Sequence, residues 1–235
     1  MTIEVQNIEI DIVKKQIKNL HLSVLPPNGA VRISAPLSVS DESIRLFAAS
    51  KISWIRAQQK KFIEQLRHSE REFASGETIY IWGKQYWLQV EYSNKSNNFE
   101  LVGNRAILTV RKESTAQQRE NYVNEMLRKY LKDEITRLLP VWEQKTGLQC
   151  KNWIVKYMKT RWGTYSETTG TISFNLQLAH KPVECLEYII VHELGHVKFR
   201  NHGKDFITHM DRYLPYWRET KNKLNVLTLD YILNK

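Results

Sequence analysis

His192-Glu193-Leu194-Gly195-His196 closes the run Leu186-Glu187-Tyr188-Ile189-Ile190-Val191, and the period of that run decides what its polar residues can do. Positions i and i+4 of a helix lie on one face, so in a helix His192 and His196 reach toward the same point. Two imidazoles so placed can share one Zn²⁺. Glu193, carried beside them, can then take a proton from a water attacking a carbonyl. The spacing predicts metal-assisted hydrolysis.

Neither Pro nor Gly interrupts Leu186 through Val191, and Pro182 stands where a helix can begin. Winding at about 100° per residue places Val183, Leu186, Ile190, Leu194 and Val197 within an arc of roughly 80°, with both histidines on the opposite side. A helix flooring a cleft needs those two faces. Gly195 costs about 1 kcal/mol in a helix interior, and its retention predicts close approach of another backbone. The alternative is an ordinary amphipathic helix with two solvated histidines.

Catalytic zinc sites use three protein ligands and leave a position for water. His202 follows in Phe199-Arg200-Asn201-His202-Gly203-Lys204-Asp205-Phe206, where Asn201 and Gly203 predict a turn that brings the chain back over the metal. Asp205, His209 and Glu219 are the other candidates for a third ligand, further along a predicted second helix.

Four segments then carry a family likeness: Lys159-Thr160-Arg161-Trp162-Gly163-Thr164-Tyr165-Ser166, Ile172-Ser173-Phe174-Asn175-Leu176, Tyr188 through His196, and Asn201 through Phe206. Together they closely resemble the YgjP-like metal-dependent hydrolases, zincin-type proteins similar to the SprT and Wss-type proteases. The likeness extends over nearly the whole chain, with weaker matches at Ala35-Pro36, Trp54-Ile55, Gly76 and Gly83. It implies that His192, His196 and His202 bind zinc and that Glu193 is the catalytic base. It places Arg161, Tyr165 and Asn175 near the motif, where each is a candidate donor to the oxyanion. Tyr165 and Gly195 depart from the family pattern, standing where Cys, or Cys and Ala, are frequent.

Length and composition agree with that reading. A chain of 235 residues, 42% hydrophobic, can bury a substantial core. No apolar run approaches the ~20 residues of a membrane span, and Met1-Thr2-Ile3-Glu4 does not begin a leader, so a cytoplasmic location is expected. Cys150 and Cys185 have neither metal-ligand spacing nor a disulfide framework and are expected as reduced thiols. A net charge of +10 favours an anionic partner such as nucleotide or nucleic acid. The denser runs, Lys60-Lys61 and Arg128-Lys129-Tyr130-Leu131-Lys132, fall on predicted helices, where solvated faces account for them.

Up to Val110 the pattern is mainly of strands. Ile8 to Ile12 and Leu20 to Val24 alternate, Pro26-Pro27-Asn28-Gly29 predicts a turn before Val31-Arg32-Ile33, and one helix is expected from about Asp41 to Leu66. Ile79 to Trp82 pairs with Tyr86 to Val90 across Gly83-Lys84-Gln85, and Phe99 to Leu101 pairs with Ala106 to Val110. From Thr115 the pattern turns helical, with a stripe of Val123, Met126, Leu127, Tyr130, Leu131, Ile135 and Leu138 packing behind the motif helix. Pro140 is expected to end or kink that helix. Trp153 to Met158 and Thr171 to Asn175 read as strands, and an edge strand there suits an extended peptide. Trp162 is expected to pack. No repeat is evident.

These readings give an α+β protein, with an N-terminal β-rich domain over residues 1–114 and a C-terminal zincin-like catalytic domain over 115–235. A zinc metallopeptidase is the expected function. Alternatives are a nucleotide (UTP-type) pyrophosphatase, also implied within the family, and a nucleic-acid or protein-binding module with a structural zinc. Glu193 argues against the last, since a structural site needs no base.

Overall fold

The computed structural model describes residues 1–25, 29–64, 72–158 and 160–226, without the side chains of 61–64. Gln6 and Asn7 both take positive φ, 49° and 63°. That twist lets a two-residue turn fold β1 (Thr2–Val5) back on β2 (Ile8–Lys15). With β3 (His21–Leu25) and β4 (Ala30–Pro36) they form a sheet of order β1-β2-β4-β3, antiparallel at both outer pairs and parallel at the centre. Residues 26–28 of the expected turn lie outside the described residues. Ile8, Ile10 and Ile12 face inward against Ile44 and Ala48 of α1 (Asp41–Ser50) and Ile52 and Ile55 of α2 (Ile52–Glu64).

One helix was expected over this stretch, and two are found. The Lys51 N–H turns back onto the Ala48 and Ala49 carbonyls, breaking the axis so that both segments enter the same core. Leu66, the expected end, lies outside the described residues.

The same arrangement recurs in β5 (Thr78–Ile81), β6 (Lys84–Tyr92), β7 (Asn98–Val102) and β8 (Arg105–Val110), ordered β5-β6-β8-β7 around a parallel central pair. The first turn is Trp82-Gly83, at φ 52° and 77°, rather than the three residues expected. Trp82 donates to the Ala179 carbonyl at 2.9 Å and Gly83 to that of His180 at 3.2 Å. A Cβ on Gly83 would lie 2.6 Å from Pro182 Cγ, so the turn is fixed against the segment entering the motif helix.

A capping box of Thr115 and Gln118 starts α3 (Ala116–Thr146), which ends at Gly147 with φ 70°. Val123, Leu127, Leu131, Ile135 and Leu138 are buried, Met126 and Tyr130 half-buried, and α3 packs on the motif helix. Pro140 does not end the helix, which runs on to Thr146. Both Pro140 and Thr136, whose carbonyl loses its partner, are exposed, so water can take the lost bond.

A third sheet, β10-β11-β9, follows: β9 (Asn152–Lys156), shorter than expected, β10 (Gly163–Ser166), and β11 (Thr171–Asn175). A 3₁₀ turn, Leu176–His180, then feeds α4 (Val183–Gly195), and α5 (Lys204–Tyr213) and α6 (Trp217–Val226) complete the described chain.

The chain divides into one unit built on Met1–Arg67 and another on His68–Leu227. The boundary expected near residue 114 therefore lies inside the second unit. The reason is a shared core: Leu88 and Leu108 of the second sheet are buried with Leu127 and Leu131 of α3 and with Leu186 and Ile190 of α4. Cys150 and Cys185 are free thiols, and burial pushes both up to about 11.

Candidate metal centre

Alpha-helix α4 is buried on more sides than an amphipathic helix would be. Beyond Leu186, Ile190 and Leu194 of the predicted arc, Tyr188, Ile189, Val191 and Glu193 are also buried, whereas Val183 and Val197 are only half so. Half-buried His192 and His196 open a strip through this packing. The helix stops at Gly195, and His196 caps it. His196 Nδ1 lies 2.9 Å from the Phe199 carbonyl, so its N–H donates there and Nε2 is left with a free lone pair. The chain then turns, and His202 returns with its Nε2 3.0 Å from His192 Nε2. One ligand atom from each of the three histidines lies within 4.8 Å of the others.

The other candidates are placed elsewhere. Asp205 and Glu219 are exposed in the first turns of α5 and α6. His209 is buried, packed on the rings of Phe199 and Tyr213, with a hydrogen bond to the backbone of Val191.

Phe206 holds the cluster together. Its ring lies 5.0 Å from those of His192 and His196 and 4.7 Å from that of His202, centroid to centroid. A Cβ on Gly195 would sit 2.9 Å from Phe206 Cε2 and 3.3 Å from His209 Cδ2. The close approach predicted at Gly195 is thus by side chains, not by backbone.

Glu193 is 4% exposed. Burial raises its carboxyl to about 7, against the opposing pull of Arg161 and a hydrogen bond from the Tyr165 backbone. That bond depends on β10 lying close to α4, and Gly163 permits the approach: a Cβ there would lie 2.6 Å from Glu193 Oε1. Of the oxyanion candidates, Asn175 is fully engaged. Its Nδ2 donates to the carbonyls of Met158 and Arg161 at 2.8 and 2.7 Å, and its Oδ1 accepts from the amides of Met158 and Gln177. It brackets the loop before β10 and has no donor left for a substrate. Trp162 packs against the core, with the Lys181 ammonium 5.8 Å from its ring centroid.

The donor set fits a divalent metal. Burial, then the neighbouring imidazoles and Lys221, lower His192 to about 3, and burial, His196 and Lys221 lower His202. Both are therefore neutral at pH 7, with lone pairs to offer. Nitrogens sharing one tetrahedral zinc at about 2.0–2.1 Å stand about 3.3 Å apart, close to the separation of the His192 and His202 donors. Three donors, with no fourth in the group among the described residues, is the count of a catalytic rather than a structural site. His192 Nδ1 is buried without a hydrogen-bond partner, so ring packing positions this imidazole.

Three residues here had no role in the sequence reading: Gly163, Phe206 and Lys221. The first two lie inside motif segments but are neither ligands nor titratable, so only packing shows what they do. Lys221 lies outside every motif.

No curated protein matches the chain. Two solved structures are similar to part of it. One is the metallopeptidase zymogen abylysin of Pyrococcus abyssi, at 22% identity over 38% of this chain and 90% of its own, with a TM-score of 0.36. The other is the metallopeptidase zymogen jannalysin of Methanocaldococcus jannaschii, at 27% identity over 38% of this chain and 92% of its own, with a TM-score of 0.35. A family profile described as "YgjP-like, metallopeptidase domain" matches residues 18–226, nearly the whole chain. The chain belongs to the YgjP-like family of metallopeptidase domains.

Proposed function

We propose that the protein is a zinc-dependent peptidase in which His192, His196 and His202 hold the metal and Glu193 is the general base. The observation that carries this reading is the convergence of three neutral imidazoles beside one buried carboxylate. Zinc in that position would supply a Lewis acid for the scissile carbonyl and a water acidified to near neutrality. Glu193 accepts the proton of the attacking water and passes it to the leaving amine. A carboxyl held near 7 suits both halves of that transfer. The Tyr165 amide keeps the carboxylate aimed, and Phe206 keeps the three imidazoles in register.

Metal analysis and cleavage of an unfolded protein test the reading together. Glu193→Gln is expected to keep one zinc per chain and to lose about 10²- to 10⁴-fold in turnover, the usual worth of a general base. Undiminished turnover would remove Glu193 from that role, and full zinc occupancy in His202→Ala would remove His202 from the ligands.

A further inference from the structure

Helix α6 carries three cations near the metal cluster with different attachments. Arg218 is bound by Asp211 and Lys223 by Glu184. Lys221 has no such carboxylate among the described residues. Its ammonium lies 5.7 Å from the centroid of the Trp217 ring, and Trp217 stacks on Tyr188 at 6.3 Å with an interplanar angle of 4°. Tyr188 in turn lies 5.7 Å from the ring of His192. Ring packing thus carries Lys221 to the cluster from the side away from the base. Its charge reaches both His192 and His202, disfavouring their protonated forms.

Arg161 offers a contrast, because its charge is already opposed by Glu193. Lys221 faces only neutral imidazoles and, with the metal bound, a further positive charge. Such an arrangement costs stability in the absence of an anion. It gains from one that arrives with the substrate.

Resting on the peptidase reading, we propose that Lys221 is a specificity-determining residue that receives a carboxylate of the substrate beside the scissile bond. The carboxylate is either a free C-terminus or an Asp or Glu side chain. An exposed ammonium can meet it without a large desolvation cost, and the Trp217 face gives the substrate's adjoining carbon atoms an apolar surface.

Binding to full-length, zinc-loaded Glu193→Gln, followed by tryptophan fluorescence or calorimetry, separates the charge effect from turnover. The probes are acetyl-tetra-alanine as the free acid, the same peptide as its amide, and that amide with Glu at its third residue. At least one charged probe is expected to bind about fivefold tighter than the neutral amide, the scale of an exposed ion pair. Which one does so tells a terminal carboxylate from a side chain. Adding Lys221→Met should abolish the preference, Lys221→Arg should keep most of it, and salt should weaken it. No preference in the presence of Lys221, or one that survives Lys221→Met in a folded protein, overturns the proposal. The peptidase reading fails separately: wild-type protein would cleave no unfolded protein, and zinc-dependent release of pyrophosphate from UTP would replace it.

Discussion

A Cβ added at Gly163 would lie 2.6 Å from Glu193 Oε1, 2.7 Å from Ile189 Cγ2 and 2.9 Å from Glu193 Cγ. Both neighbours sit on a helix buried on most sides, and Ile189 itself is 4% exposed, so neither has free space to move into. The methyl group would therefore push β10 off α4, separating the Tyr165 amide from the carboxylate it aims. Gly163→Ala is expected to cost about 1–3 kcal/mol of stability, the range for overpacking a core. It should lower turnover at least tenfold while zinc content stays at the wild-type level, because no histidine lies among the atoms the new group meets. Denaturant unfolding, metal analysis and a peptidase assay on one preparation would check all three. Wild-type turnover from a folded variant would show that the Glu193 position tolerates the shift. Gly195 is a milder case, since the atom nearest its added Cβ belongs to an aromatic ring on another helix.

Helix α4 was legible in the sequence because its evidence is local: an uninterrupted apolar run, a proline before it, and two histidines one turn apart. The meeting of His202 with His192 was legible for a similar reason, since only a short turn separates the two elements. Strand β10 was not, because Gly163-Thr164-Tyr165-Ser166 has no apolar alternation and is a strand through its pairing with β11. Nor was the parallel pairing of β6 with β8, which depends on two hairpins meeting and leaves no mark in either. Asn175 shows another limit. Its polarity suggested chemistry, whereas its hydrogen bonds are all taken by backbone. The helix α3 was expected to break at Pro140, yet Leu138, Leu139 and Trp142 hold both sides of that residue in the core. Tertiary burial outweighs the local defect there, and the defect should remain measurable. Pro140→Ala restores an N–H to the Thr136 carbonyl and removes the ring, so a gain of about 1–3 kcal/mol is expected. A higher urea midpoint with unchanged metal content would agree. An unchanged or lower midpoint would mean that the packing of Leu138 and Trp142 depends on the proline's geometry.

Over the whole molecule, two sheets of identical strand order open the two compact units, each with a two-residue turn at positive φ between its first strands. The sequence shows no repeat because what recurs is topology and turn geometry rather than side chains. Only the second of these sheets shares a core with a metal-binding helix, and a pattern of strands cannot tell which helix a sheet will meet. Among the described residues no helix is long and apolar enough to cross a membrane. The positive charge is not one surface either: Arg128 donates to the Val155 carbonyl and Leu131 is buried within the same basic run, while the Lys61 side chain lies outside the described residues. The groups that most affect stability are those buried at the centre, and Glu193 gives the clearest test. Its carboxyl stands at about 7 in the fold against an ordinary 4.5, so between those values the folded chain binds more protons than the unfolded one. Its contribution to stability therefore falls as pH rises through that window and is lowest above it. At 1.36 kcal/mol per unit the pH-dependent part is on the order of 2–3 kcal/mol. A glutamine amide does not titrate, so in metal-free protein Glu193→Gln should gain that much relative to wild type between about pH 4 and pH 8, whatever fixed offset the amide introduces. Bound zinc favours the carboxylate and should shrink the difference. Urea midpoints of both proteins at the two pH values, with and without chelator, measure it directly. A difference that does not change with pH would mean that Arg161 and the Tyr165 amide offset burial fully, leaving the base ionised at an ordinary cost before any metal arrives.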